Sequence, residues 1–177
     1  MGDDRVTLVE VGLRDGLQNE KTPVSPGQRA EWFNALVAAG HQRIEAGSFV
    51  SPKWVPQMAG TDEVMSLIRK PDDVTAEVLV PNLKGLEAAL KTSAEVVAVF
   101  TAASESFNRK NINCSIDESI DRFRPVVEGA RAAGRRVRGY VSCVVGCPYE
   151  GRIAPSQVAH VVQRLRELGV DEISLGD

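Results

Sequence analysis

Six runs rich in β-branched and apolar residues, Val6 to Val11, Arg43 to Ala46, Ala76 to Val80, Val96 to Phe100, Val137 to Ser142 and Glu172 to Leu175, recur about every 33 residues, the length of one strand-plus-helix unit. The stretches between them carry helix punctuation. Ser25 is placed to cap a helix, with Pro26 at its first position and Gln28 closing a capping box, and the pattern runs to Ala39 and stops at Gly40. A second pattern opens at Ser115 with Glu118 three residues on, has an apolar face of Ile116, Ile120, Phe123 and Val127, and stops at Gly134. A third starts at Pro155 and stops at Gly169, and shorter helices are expected over Thr61 to Arg69 and Leu83 to Leu90. Strict alternation of this kind builds a parallel sheet, because only crossover helices can return the chain to start another parallel strand.

Parallel sheets are either open and doubly wound or closed into an eight-stranded barrel. No strand is followed by G-x-G-x-x-G or a P-loop, and conspicuous polar residues follow many strands instead of gathering at one crevice: Arg14 and Asp15, Glu45 and Ser48, Asn82, Ser104 and Asn111, Tyr140 and Cys143, and Asp177. That distribution predicts a TIM (β/α)8 barrel, here about six strands and five helices of an incomplete barrel, since a complete one takes about 250 residues. Residues 1–177 are expected to form one partial barrel domain.

Charge and cysteine content narrow the function. A net charge of −3 argues against a nucleic-acid binder, and the only dense basic stretch, Arg135, Arg136 and Arg138, falls at the start of a strand. No apolar run approaches the length of a membrane span, and the first ten residues, MGDDRVTLVE, do not read as an export or import signal, so a cytoplasmic location is expected. Cys114, Cys143 and Cys147 are expected to be reduced thiols. The Cys143-x-x-x-Cys147 pair lacks the spacing and the two further ligands of a zinc site, and His41 and His160 lie on distant helical segments.

The segment VEVGLRDGLQNE, Val9 to Glu20, is the strongest site signal, a buried strand running into opposite charges in a glycine-bracketed turn. Arg14 offers a permanently charged planar fork suited to an enolate oxygen, carboxylate or phosphate. Asp15 offers a hard oxygen suited to a divalent cation. From adjacency alone, a structural ion pair closing the bottom of a barrel is the commoner reading.

Taken in order, VEVGLRDGLQNEK, IEAGSFVSPKWVPQM, PNLKG, KNINCS, VRGYVSCVVGCPYEG and EISLGD resemble the 3-hydroxy-3-methylglutaryl-CoA (HMG-CoA) lyase family across almost the whole chain. The resemblance implies a (β/α)8-barrel, metal-dependent carbon-carbon lyase that cleaves HMG-CoA to acetyl-CoA and acetoacetate by a retro-Claisen reaction, with Mg²⁺ or Mn²⁺ as cofactor. The family's settings are leucine degradation and ketone-body production. By the same correspondence Asp15 is a metal ligand, Arg14 the electrophilic donor, and Glu45 an acid supporting the metal and its bound water. Gln18, Lys21, Arg138, Tyr140, Ser174 and Asp177 match residues around the substrate or its base, and Asn111 and Ser115 match a loop after the fourth strand. HMG-CoA is thus the implied small-molecule partner of a homo-oligomer.

Plainer readings stand beside several of these. Glu45 also reads as a buried partner for Arg14, Lys21 as a solvated loop lysine, Asp177 as a chain-terminal carboxylate with no partner, and Ser115 as a helix cap. The GCPYEG string at Gly146 to Gly151 looks like the family's catalytic cysteine loop, but it follows the fifth strand instead of the seventh, so Cys147 is not assigned that role. The family's H-x-H pair, its asparagine ligand and its catalytic cysteine have no counterparts in these 177 residues. The alternatives are a related Claisen synthase or 4-hydroxy-2-oxoacid aldolase, or a non-catalytic half-barrel module. A barrel short of two strands leaves open sheet edges and is expected to associate.

Overall fold

The computed structural model describes residues 6–177, which form two compact units. The first unit takes residues up to Leu79 together with Ala88–Glu95. It contains a π-helical turn over Gly12–Gly16, α1 (Pro26–Ala38), β1 (Arg43–Ser48), α2 (Thr61–Leu67) and β2 (Thr75–Leu79). β1 and β2 pair in parallel, with Glu45 in register with Glu77 and a shift between Glu45 and Gly47. All but the first residue of β1 is buried, as a strand covered on both faces requires. Gly47 has no room for a side chain, since a Cβ there would lie 2.7 Å from Thr61 Oγ1. That close approach lets Thr61 bond the carbonyls of Ser48 at 3.0 Å and Met58 at 2.9 Å, seating α2 against the strand end.

The second unit takes Val80–Glu87 and Val96–Asp177. Its strands β3 (Val96–Ala102), β4 (Arg136–Ser142) and β7 (Glu172–Leu175) are parallel and lie in the order β3-β4-β7. Between them come α4 (Glu105–Ile112), α5 (Ile116–Ala132) and α6 (Pro155–Leu168), with a small antiparallel hairpin of β5 (Gly146–Cys147) and β6 (Gly151–Arg152). α3, Leu83–Ala89, follows Val80, and its first turn is capped by Asn82 Oδ1, which accepts from Gly85 N at 3.0 Å. The core of this unit is Val97, Val99, Ile120, Val126, Val127, Val137, Val141 and Leu165, all fully buried.

The expected helix ends are found at the residues that encode them. Ser25 accepts from Gln28 N at 3.3 Å, although the reciprocal half of the expected box is not formed. Ser115 and Glu118 form the full capping box. Gly40, Gly134 and Gly169 all take positive φ, at 96°, 72° and 98°, where a side chain would be strained.

Three expectations are corrected. The strand expected over Val6–Val11 narrows to one parallel bridge, Glu10 with Ile44, because Val6 and Leu8 stand exposed at 84% and 69% and a strand exists only where a neighbour completes its ladder. The described residues contain six α-helices instead of the expected five, the additional one being α4. Its short sequence, ESFNRKNI, is mostly polar and lacks an apolar stripe long enough to announce a helix. Asn111 therefore sits on α4 and not in a loop. No helix among the described residues is long and apolar enough to cross a membrane.

Candidate active site

In the first unit the site is built where the Glu10 bridge ends. Because Glu10 pairs in parallel with Ile44, the turn over Gly12–Gly16 continues toward the C-terminal end of β1, the end at which parallel barrels place their chemistry. Arg14 is only 6% exposed. Its Nε donates to Glu45 Oε2 at 2.8 Å, and an Nη donates to Asp15 Oδ1 at 2.7 Å. Glu45 is fully buried, so it is the buried partner of Arg14, whereas Asp15 holds the same guanidinium from the solvent side with 59% of its side chain exposed.

A second buried pair runs alongside. Arg43 binds Glu77 at 2.6 Å, and Glu77 is in register with Glu45. Two carboxylates side by side inside a strand pair are tolerated because each faces its own arginine. Sequence reading missed Glu77, because an acid within a short apolar run gives no signal of its burial. Gln18 lies half-buried just after the turn, and Lys21 is exposed in a bend beyond it.

In the second unit the period of two along β4 places Arg138 and Tyr140 on one face. Register brings Glu172 and Ser174 of β7 alongside them. Gly139 points the other way, where a Cβ would meet Leu165 and Val170 at 3.1 Å, so the polar face is the one turned away from α6. Arg138 is 8% exposed, lies 3.3 Å from Glu172 Oε1, and has its guanidinium carbon 5.2 Å from the Tyr140 ring centroid.

Asp177 corrects one of its expected readings, because it does have partners: Oδ1 accepts from Val145 N and Gly146 N, both at 3.0 Å. Those bonds, Gly146 first, hold its carboxyl below the ordinary aspartate range against a smaller opposing effect of burial. Asn111 stands exposed on α4, and Ser115 spends its hydroxyl as the cap of α5.

The cysteines are all unpaired and buried. Cys143 has φ 59°, unusual for a side-chain-bearing residue, and burial followed by the neighbouring Cys147 pushes its thiol up to about 11. At Cys147 burial alone would raise the thiol, but hydrogen bonds from Ser104, at 3.0 Å, and from the Tyr149 and Glu150 amides bring it below the usual value.

A divalent ion needs several hard donors. Among the described residues no group of three His, Cys, Asp or Glu stands close enough to hold one, and the one exposed carboxylate at the Arg14 turn is already bonded to the arginine. The residues described do not by themselves fit a metal.

The HMGL-like family model matches residues 5–177. The chain belongs to the HMGL-like family. It is 57% identical over 173 residues to the 3-hydroxy-3-isohexenylglutaryl-CoA/hydroxymethylglutaryl-CoA lyase of Pseudomonas aeruginosa, covering 98% of this chain and 58% of that protein. The mitochondrial hydroxymethylglutaryl-CoA lyase of Bos taurus is 56% identical, with 98% of this chain and 53% of the bovine one covered. Among solved HMGL-like structures, the Pseudomonas aeruginosa hydroxymethylglutaryl-CoA lyase superposes with a TM-score of 0.95 over 98% of this chain and 58% of its own. An HMG-CoA lyase from Acinetobacter baumannii in complex with coenzyme A and 3-methylmalate has a TM-score of 0.90 at 36% identity, over 96% of this chain and 56% of its own. The chain thus spans just over half the length of these relatives. The α/β fold of a partial TIM barrel follows from this membership.

Proposed function

We propose that this HMGL-like chain contributes the Arg14 half of a carbon-carbon lyase site that cleaves HMG-CoA to acetyl-CoA and acetoacetate. The observation that carries the reading is the buried Arg14, fixed between Glu45 of β1 and Asp15. Breaking the C2–C3 bond of a 3-hydroxyacyl thioester takes the proton from the C3 hydroxyl and leaves negative charge on the thioester oxygen. The electron pair of the C2–C3 bond moves into that enolate, C3 becomes the ketone of acetoacetate, and C2 then takes one proton to give acetyl-CoA. A fixed guanidinium stabilises the enolate oxygen more than the neutral ground-state carbonyl, which is what lowers the barrier. Glu45 keeps the guanidinium from swinging away. Asp177, held ionised by two amides, is assigned as the carboxylate base. Gln18, Lys21, Asn111, Arg138, Tyr140 and Ser174 are assigned to the substrate.

Mg²⁺ or Mn²⁺ belongs to this reading through the family, with Asp15 as the ligand this chain would give. When bound, such an ion would supply Lewis acidity. We read residues 1–177 as one partial barrel domain of a cytoplasmic homo-oligomer. The lyase activity for which the relatives are named, and the coenzyme A in one of their structures, favour the lyase over a Claisen synthase or aldolase. The test is acetyl-CoA release from HMG-CoA by the full-length protein with Mg²⁺, beside condensation of acetyl-CoA with a 2-oxoacid. Cleavage alone is expected; condensation without cleavage would replace this reading with the synthase.

A further inference from the structure

The GCPYEG string, set aside as a catalytic cysteine loop, forms the β5–β6 hairpin, and the side chains of Cys147, Tyr149 and Glu150 in it all reach α4 or its N-cap. Cys147 Sγ meets Ser104, the N-cap of α4, at 3.0 Å. Glu150 Oε1 accepts from Ser106 N at 2.6 Å, within the first helical turn. The Tyr149 ring packs on Phe107, centroids 6.3 Å apart, and receives the Lys110 ammonium at 3.6 Å from its centre.

α4 is also held by bonds that do not involve Tyr149. Asn108 is buried and bonds Thr101 and Ser119 at 3.1 and 3.4 Å, and the Glu105 carboxylate accepts from Ile116 N. What Tyr149 adds is therefore the placement of one side chain. Its partner is an aromatic face and not a carboxylate, so the contact orients Lys110 without pairing it to an anion, whereas the adjacent Arg109 is paired with Glu105 at 3.9 Å. An exposed lysine is otherwise rotamer-rich, and ordering it beforehand lowers the entropy lost when an anion binds. Lys110 and the exposed Asn111 together present a cation and an amide at one end of α4.

We propose that Tyr149 is a positioning residue that holds Lys110 as the cation for the phosphate-bearing end of an acyl-CoA. The ligand class rests on the acyl-CoA reading given above. The test is calorimetric binding to the full-length protein of two probes, coenzyme A and pantetheine, which lacks the phosphates. Tyr149→Ala is expected to weaken coenzyme A binding about three- to tenfold and leave pantetheine unchanged. Tyr149→Phe, which keeps the ring face, is expected to stay within about twofold of the parent. Lys110→Ala should weaken coenzyme A at least as much, and Tyr149→Ala added to it should cost nothing further. The proposal is overturned if Tyr149→Ala leaves coenzyme A binding intact, if both probes weaken alike, if the effects of the two substitutions simply add, or if the parent protein binds no coenzyme A. Binding needs no turnover, so a protein that holds coenzyme A but does not cleave HMG-CoA would refute the lyase reading alone.

Discussion

Arg14 shows how a single residue can be conspicuous in sequence and still be underdetermined. Its charge, its glycine brackets and its place after an apolar run were legible; that its fork is divided between Glu45 and Asp15 was not, because the contact to Glu45 spans 31 residues. Removing one partner of a buried pair strands a charge, so Glu45→Ala is expected to lose about 3–5 kcal/mol of stability in urea unfolding. Asp177 titrates with the opposite consequence from a buried neutral acid. Its amide bonds depress the folded-state pKa, so the folded protein binds that proton less well than the unfolded chain does. The stabilisation is complete above the unfolded value of about 4 and is lost as pH falls through the depressed folded value. Urea midpoints measured across that acid range should fall more steeply for the parent than for Asp177→Asn, and parallel curves would show the amide bonds to be without energetic effect. Cys143, with its thiol near 11, should resist iodoacetamide at pH 8 until the protein is unfolded. Rapid labelling of the native protein, followed by peptide mass spectrometry, would contradict its buried placement.

At the level of elements, legibility tracked local chemistry. Helix ends were readable because a cap is a short-range event: Ser25, Ser115, Gly40, Gly134 and Gly169 act where they stand. The Val6–Val11 segment was overread because a strand depends on a neighbour distant in sequence, and only Glu10 finds one among the described residues. α4 was overlooked for the converse reason. Its helicity depends on the buried Asn108–Thr101–Ser119 network and the Ser104 cap, neither of which leaves an apolar stripe. Ser115→Ala, which removes half of the α5 capping box, should cost about 1 kcal/mol in thermal or urea unfolding, with activity kept. A loss within error would mean that Glu105, which also accepts from Ile116 N, compensates.

For the molecule as a whole, the repeat of strand and helix was enough to specify a parallel α/β architecture, and the motif strings were enough to specify the family. Neither could give the partition into two units, which reflects where contacts concentrate. The surface of the described residues leaves Leu8, Trp54 and Leu175 exposed at 69%, 84% and 58%, and Leu175 belongs to β7, an outer strand of its unit. Exposed apolar strand residues favour association. Sedimentation velocity on the 177-residue chain is expected to give a weight-average mass that rises with concentration above 19.1 kDa, and a sharp monomer at all concentrations would contradict that. Under the proposed function Arg14 acts on the enolate oxygen. Steady-state kinetics of Arg14→Lys in the full-length protein tests it most directly, since the lysine keeps a charge for Glu45 while losing the planar fork. The expected result is a kcat for HMG-CoA cleavage lower by about 10²–10³ with KM within a few-fold; an unchanged kcat would contradict that role for Arg14.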